Sequence, residues 1–210
     1  ALCRAAKVRG DALAKVVPMK THLGLAVAAA LSLGSLAPAW IGQDSTAKDA
    51  QGAAARPVTV IAIRHAEKAH DGTRDPALTE EGQERAEVLA RLLGHAEVTH
   101  VFSTRYQRTE ATVAPLAKRL KLEVLRYDPT AMKELVERLR GLPGGSVALV
   151  SGHSNTTPGL VLALGGAITE LGSVRGAPAL DESEYDRMFL VTLPVLAEGA
   201  ASCVELRYGE

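Results

Sequence analysis

The chain has 210 residues, 47% of them hydrophobic, with 24 basic and 24 acidic side chains and a formal net charge of zero. That length fits one domain, or one domain with a tail. The charge balance leaves no basic field to attract nucleic acid, 3% aromatics leave no platform for base stacking, and two cysteines (Cys3, Cys203) exclude a disulfide-rich scaffold or a cysteine zinc site.

The first methionine is Met19, and residues 1–18 read as an over-extended start. Met19, Lys20, Thr21 and His22 form a short basic stretch. Leu23 to Ala37 is apolar, and Ala37-Pro38-Ala39 is a small-x-small site. This is the pattern of a signal peptide over 19–39, cut before Trp40. The competing reading is an uncleaved membrane anchor, because the uncharged run from Leu23 to Gly42 is long enough to span a bilayer. Gly24, Ser32, Gly34, Ser35 and Pro38 dilute that run. Either way the domain is expected in an extracytoplasmic space, periplasmic or secreted, with no stable membrane insertion after cleavage. Cleavage removes Arg4, Lys7, Arg9, Lys15 and Lys20 against Asp11 alone, leaving an acidic balance. Cys203 is then the only thiol, read as a buried cysteine of a C-terminal strand.

Residues 40–55, rich in Ala, Gly, Gln, Ser and Asp, read as a flexible linker before a domain over 56–210. Val58 to Ile63 is a β-branched apolar run, a buried strand. His70 to Pro76 is a loop. Thr79 can cap a helix with Glu80 and Glu81 in its first turn, an apolar face of Ala86, Leu89, Leu92 and Leu93, and Gly94 as terminator. A strand over Val98–Ser103, a helix over Gln107–Leu120 and a strand over Leu122–Arg126 follow. Asp128-Pro129 predicts an N-cap with proline at the first helical position, for a helix running through Met132, Leu135 and Leu139 to Gly141. Ser146–Ser151 is a fourth buried strand and Pro158–Leu164 a helix. Met188–Leu193 and Ser202–Tyr208 are the last strands. This alternation predicts a three-layer α/β/α sandwich with a mainly parallel sheet.

Arg64-His65 follows the first strand directly, and Gly152-His153-Ser154 follows the fourth. The carboxyl ends of strands in an open parallel sheet are where ligands bind. Ile63-Arg64-His65-Ala66-Glu67-Lys68 resembles the signature of the histidine phosphatase superfamily, the phosphoglycerate mutase-like proteins. Asp75-Pro76-Ala77-Leu78-Thr79-Glu80-Glu81-Gly82 resembles that family's D-x-x-L-T-x-x-G stretch. Ser103 to Thr112, with Arg108 four residues after Thr104, resembles its second-arginine segment, and Gly152 to Thr156 its second-histidine segment. The resemblance covers about Val58 to Leu193. An Arg-His pair alone is weak; four segments in order are specific.

The resemblance implies a phosphoglycerate mutase-like fold and phosphomonoester hydrolysis through a phosphohistidine on His65. A neutral imidazole nitrogen attacks phosphorus while its other nitrogen is held as a donor by a backbone carbonyl. Arg64 and Arg108 clamp the phosphoryl oxygens, and His153 is a further ligand of the phosphate. Asn155 and Thr156 are candidate phosphate contacts, or helix caps. No cofactor and no metal is implied, and the sequence holds no HExxH, CxxC or run of Asp ligands. One branch of the family places an Asp after the second histidine. Ser154 stands there in this chain, so the proton donor is sought downstream, at Asp128 or Glu134, with Glu67 beside the nucleophile as a third candidate.

Lys68, Arg74 and Arg105 are read as rim residues or plain solvated charges. His70, His95 and His100 fall outside the motifs, and Glu184-Tyr185-Asp186 is read as architectural. The expected substrate is a phosphorylated small molecule, an envelope glycan or a phosphoprotein. Two alternatives stand beside the phosphatase. A mutase would need insertions that shield the phosphohistidine from water. A phosphate-binding pseudo-enzyme would keep the pocket without turnover.

Overall fold

A computed structural model describes residues 56–194 and 200–209. The expected signal segment, the linker and Cys3 lie outside them. Strand β1 (Thr59–Arg64) alternates Val60 and Ala62 toward one side with Ile61 and Ile63 toward the other, all four buried. A strand apolar on both faces needs helices on both faces. It pairs in parallel with β4 (Val147–Gly152) and antiparallel with β7 (Arg187–Thr192). With β2 (His100–Ser103), β3 (Val124–Arg126) and β8 (Ser202–Arg207) the sheet has the order β3-β2-β4-β1-β7-β8, its first four strands parallel and its last two antiparallel.

Helices α1 (Glu80–Leu92) and α2 (Gln107–Leu120) bring Leu89, Ala90, Val113, Leu116 and Ala117 against Ile61, Ile63, Val101 and Leu149. Helices α3 (Met132–Arg140) and α4 (Thr156–Ala163) bring Leu135, Leu139, Leu160 and Val161 against Val60, Ala62, Val150 and Phe189. The expected three-layer sandwich is therefore present. Cys203 lies half-buried on β8 and packs against this second core.

The structure departs from the sequence reading at Cys203, which is half-buried rather than buried, at Leu92, which is exposed rather than on the apolar face of α1, and in three local elements. Asp128 does not cap α3. That helix begins at Met132 with Ala131 as its cap residue and no side-chain capping bond. The Asp128 carboxylate accepts instead from the Thr130 amide (2.8 Å) and hydroxyl (2.7 Å), closing a local turn that competes with capping. Helix α4 begins at Thr156 rather than Pro158, because Thr156 and Thr157 turn their hydroxyls inward, to the His153 amide and the Ile63 carbonyl. A hairpin of β5 (Gly172–Val174) and β6 (Ala177–Ala179) was not anticipated. Arg175 (φ 53°) and Gly176 (φ 80°) form its two-residue turn, both in the left-handed region that such turns require.

The Asp75–Gly82 segment has a visible task. Thr79 caps α1 by accepting from the Gly82 amide, and its own amide donates to the Glu67 carbonyl at 3.0 Å. A Cβ on Gly82 would stand 2.2 Å from that same carbonyl. The start of α1 is thus docked on the backbone just after His65, and only glycine permits the approach. Gly82→Ala is expected to destabilise the fold by about 1–3 kcal/mol and to lower turnover by displacing the His65 loop. Denaturant unfolding and kinetics of the variant check this; wild-type values for both would contradict it.

Candidate active site

Two parallel strands ending side by side build the site. Arg64 ends β1 opposite Gly152, the end of β4, and the His65 amide extends the ladder by donating to the Gly152 carbonyl at 2.9 Å. The next residue on each strand is a histidine, and the two rings stand 5.6 Å apart, edge to face. A Cβ on Gly152 would meet the Thr156 and Thr157 hydroxyls at 2.8 and 2.9 Å, so the turn into α4 closes tightly beneath His153.

His65 Nδ1 lies 2.7 Å from the Ala66 carbonyl. A carbonyl only accepts, so Nδ1 carries the proton and Nε2 keeps its lone pair. Ala66 is itself fixed: its amide donates to the Thr112 hydroxyl, which donates to the Arg108 carbonyl. Burial, with the cations Arg64 and Arg108 and the neighbouring His153, lowers the His65 pKa to about 3 against the opposing pull of the Ala66 carbonyl. The imidazole is neutral at physiological pH, as a nucleophile must be.

Arg64 is 1% exposed, and its guanidinium stacks on the Tyr185 ring at 4.1 Å. It donates to the carbonyls of Asp181 (2.7 Å), Glu182 (3.1 Å) and Glu184 (3.1 Å), and it pairs with the Glu182 carboxylate at 2.9 Å. That carboxylate also accepts from the Ser154 hydroxyl at 3.2 Å. Arg108 stacks on Tyr106 at 4.5 Å and reaches Asp75 at 3.3 Å and His153 Nδ1 at 3.5 Å. A guanidinium only donates, so Nδ1 accepts. His153 Nε2 then donates to the Thr104 hydroxyl (3.1 Å), and the chain continues through Thr109 to the Tyr106 carbonyl. Burial first, then Arg108 and Arg64, lower the His153 pKa to about 4. The Nε–H groups of both arginines are buried without a hydrogen-bond partner among the described residues. Such donors carry a desolvation cost that an oxyanion relieves.

The structure therefore brings Arg64, His65, Arg108 and His153 together. It does not bring the proton-donor candidates with them in a form suited to give up a proton. The Glu67 carboxylate is held on both oxygens by Arg85 Nε at 2.8 and 2.9 Å. The Thr130 hydroxyl and amide hold Asp128 below the usual carboxylate range, and its turn shares a rim cavity with Arg105, Tyr106 and Tyr127. Glu134 is exposed in the first turn of α3. Asn155 is exposed at the start of α4, and the Thr156 hydroxyl serves the backbone of His153 rather than facing outward as a ligand. Among the described residues no group of three His, Cys, Asp or Glu side chains could hold a metal ion.

Sequence reasoning gave no site role to Tyr106, Asp75 or Glu182, and it read Tyr185 as architectural. Tyr106 and Asp75 lie inside the motif segments, so their position was a usable signal. Tyr185 and Glu182 come from a loop far along the chain, and no local pattern marks them.

The histidine pKa values fix a pH dependence. Both are lowered from 6.5 in the unfolded chain, so between pH 6.5 and about 3–4 the unfolded state binds more protons. Their contribution to stability is fully present above pH 6.5 and is lost as pH falls toward 4. Imidazole NMR titration is expected to show both rings neutral at pH 5, with the melting temperature declining below pH 6.5. Midpoints near 6.5 for both rings would contradict the burial described.

The family model of the histidine phosphatase superfamily (branch 1) matches residues 60–158. Phosphoserine phosphatase 1 of Hydrogenobacter thermophilus is 32% identical over 77 residues, covering 34% of this chain and 36% of that protein. The chain thus spans about a third of the length of the curated relative it matches. Among solved structures, a candidate phosphohistidine phosphatase SixA from Nakamurella multipartitia shares the fold with a TM-score of 0.51 at 20% identity, over 73% of this chain and 98% of its own. The protein histidine phosphatase SixA complexed with tungstate gives a TM-score of 0.51 at 18% identity, over 71% of this chain and 96% of its own. The matched span opens in β1 and closes in the first turn of α4, so the stretch that is similar to the histidine phosphatase superfamily holds both arginines and both histidines.

Proposed function

We propose that the protein is a phosphomonoester hydrolase that works through a covalent phosphohistidine on His65 and needs no metal. The observation that carries this is the pinned tautomer of His65: Nδ1–H is spent on the Ala66 carbonyl, and Nε2 is left with a lone pair among three cationic or cation-ready side chains. A phosphoryl dianion seats on Arg64 and Arg108, taking over the place where the Glu182 carboxylate now meets Arg64. Nε2 attacks phosphorus, and the bond to the ester oxygen breaks. The ester oxygen takes its proton from solvent water and leaves as the alcohol; a second water then attacks the phosphohistidine and returns a proton to solvent, releasing phosphate and restoring the imidazole. The dianion's charge also draws His153 toward its protonated form, adding a donor as charge builds. Fixed cations in a buried site do the electrostatic work that a metal does elsewhere.

The apolar segment 23–37 and its small-residue site support the further reading that the enzyme works outside the cytoplasm. There its substrates would be phosphorylated small molecules, envelope glycans or phosphoproteins.

The test is hydrolysis of an aryl phosphate in excess EDTA by wild type and His65→Ala. Wild-type turnover is expected to survive chelation, and the variant to lose about 10³-fold or more. Loss of activity in EDTA, or its persistence in His65→Ala, would overturn the reading. Replacement of Arg108 by Lys, which cannot present a planar fork, is expected to raise KM and lower kcat together.

A further inference from the structure

One nitrogen of the Arg64 guanidinium is fully engaged by backbone: Nη1 donates to the carbonyls of Asp181, Glu182 and Glu184. Nε is buried without a partner among the described residues, so the Nε–Nη2 edge is the one left for a bidentate oxyanion. The Glu182 carboxylate already stands at that edge. Its Oε2 accepts from Nη2 at 2.9 Å, and its Oε1 accepts from the Ser154 hydroxyl at 3.2 Å. We propose that Glu182 is a built-in competitor for the phosphate clamp, which yields to the phosphoryl group of the substrate and returns as the phosphate product leaves. This rests on the hydrolase reading above for its link to turnover, but not for the competition itself.

Three observations carry it. First, the two partners differ in burial: the Arg64 side chain is 2% exposed and that of Glu182 is 70% exposed. The carboxylate can swing into water with little change in its solvation, while the guanidinium stays in place. Secondly, the backbone that carries Glu182 is held without its carboxylate. The Leu180 amide donates to the Ser154 carbonyl at 2.8 Å. The Asp181 carboxylate accepts from the Ser183 amide and hydroxyl at 2.9 and 2.6 Å, and Glu184 pairs with Arg187 and Arg207. A departing Glu182 side chain therefore leaves the three carbonyls on Arg64. Asp75, the carboxylate at Arg108, is placed differently: both its oxygens accept from the Gln107 amide, at 3.0 and 3.1 Å, which fixes it. Thirdly, the charge order is right for exchange. A tethered carboxylate competes at high effective concentration but brings one negative charge, whereas a phosphoryl dianion brings two to the same cations. A clamp of two buried arginines would also retain inorganic phosphate, and a returning carboxylate offsets that retention.

The test measures binding of inorganic phosphate to the full chain by calorimetry, in wild type, Glu182→Gln and Glu182→Ala. Glutamine keeps the size and removes the charge; alanine removes the reach as well. Both variants are expected to bind phosphate about fivefold more tightly than wild type. In hydrolysis of an aryl phosphate by Glu182→Gln, KM and the inhibition constant of phosphate are expected to fall together, with no rise in kcat. A merely structural Glu182 would move affinity the other way, because a disturbed loop weakens the clamp. Unchanged or weaker phosphate binding in the two variants would overturn the competitor, even in a protein that hydrolyses the ester. Tighter binding by the variants of a protein that shows no turnover would sink the hydrolase reading and leave the competitor standing.

Discussion

Everything at the site depends on the register between two parallel strands. Arg64 faces Gly152 across the β1–β4 ladder, and the ladder runs one hydrogen bond further, from His65 to the Gly152 carbonyl. Had either strand slipped by one residue, its side chains would have changed faces and one histidine would have entered the core. The register is protected by what it buries. Val60, Ala62, Ala148 and Val150 serve one core, Ile61, Ile63 and Leu149 the other. The same apolar alternation that stabilises the sandwich therefore aims two histidine side chains at one point.

Gathering Arg64, Arg108, His65 and His153 in a buried place concentrates positive charge. The structure meets this in two ways. Both histidines stay neutral, since burial and the arginines each disfavour the imidazolium. Both arginines are framed by aromatic faces, Tyr185 for Arg64 and Tyr106 for Arg108, and by carbonyl or carboxylate acceptors. The 181–185 loop that supplies most of Arg64's partners is anchored in turn. Glu184 pairs with the buried Arg187 and with Arg207, and Arg187 pairs with Glu205 on β8. The antiparallel edge of the sheet, which carries none of the four central residues, thus holds the lid of acceptors over one of them.

How much of this was legible before folding follows from how local each feature is. β1 and β4 could be read because a doubly covered strand is apolar without interruption, and α1 because Thr79 and Gly82 mark its start within four residues. Arg64, His65, Arg108 and His153 were legible through four motif segments in order. Asp128 was misread because an Asp before Pro suits a cap and a turn equally, and the nearby Thr130 hydroxyl decided for the turn. Glu182 and Tyr185 were beyond reach, since their partner Arg64 lies more than a hundred positions earlier and only the sheet order joins them. The β5–β6 hairpin escaped because strands of three residues, all but Ala179 exposed, carry no period to detect.

The central claim is that phosphorus passes through His65 Nε2 rather than directly to water. Two displacements at phosphorus retain its configuration and a single displacement inverts it. The decisive measurement is the stereochemical course of transfer to an added alcohol from a phosphate ester made chiral by oxygen isotopes. The account predicts retention. Inversion would mean that the alcohol attacks phosphorus directly, and that His65 is not the nucleophile its geometry makes it.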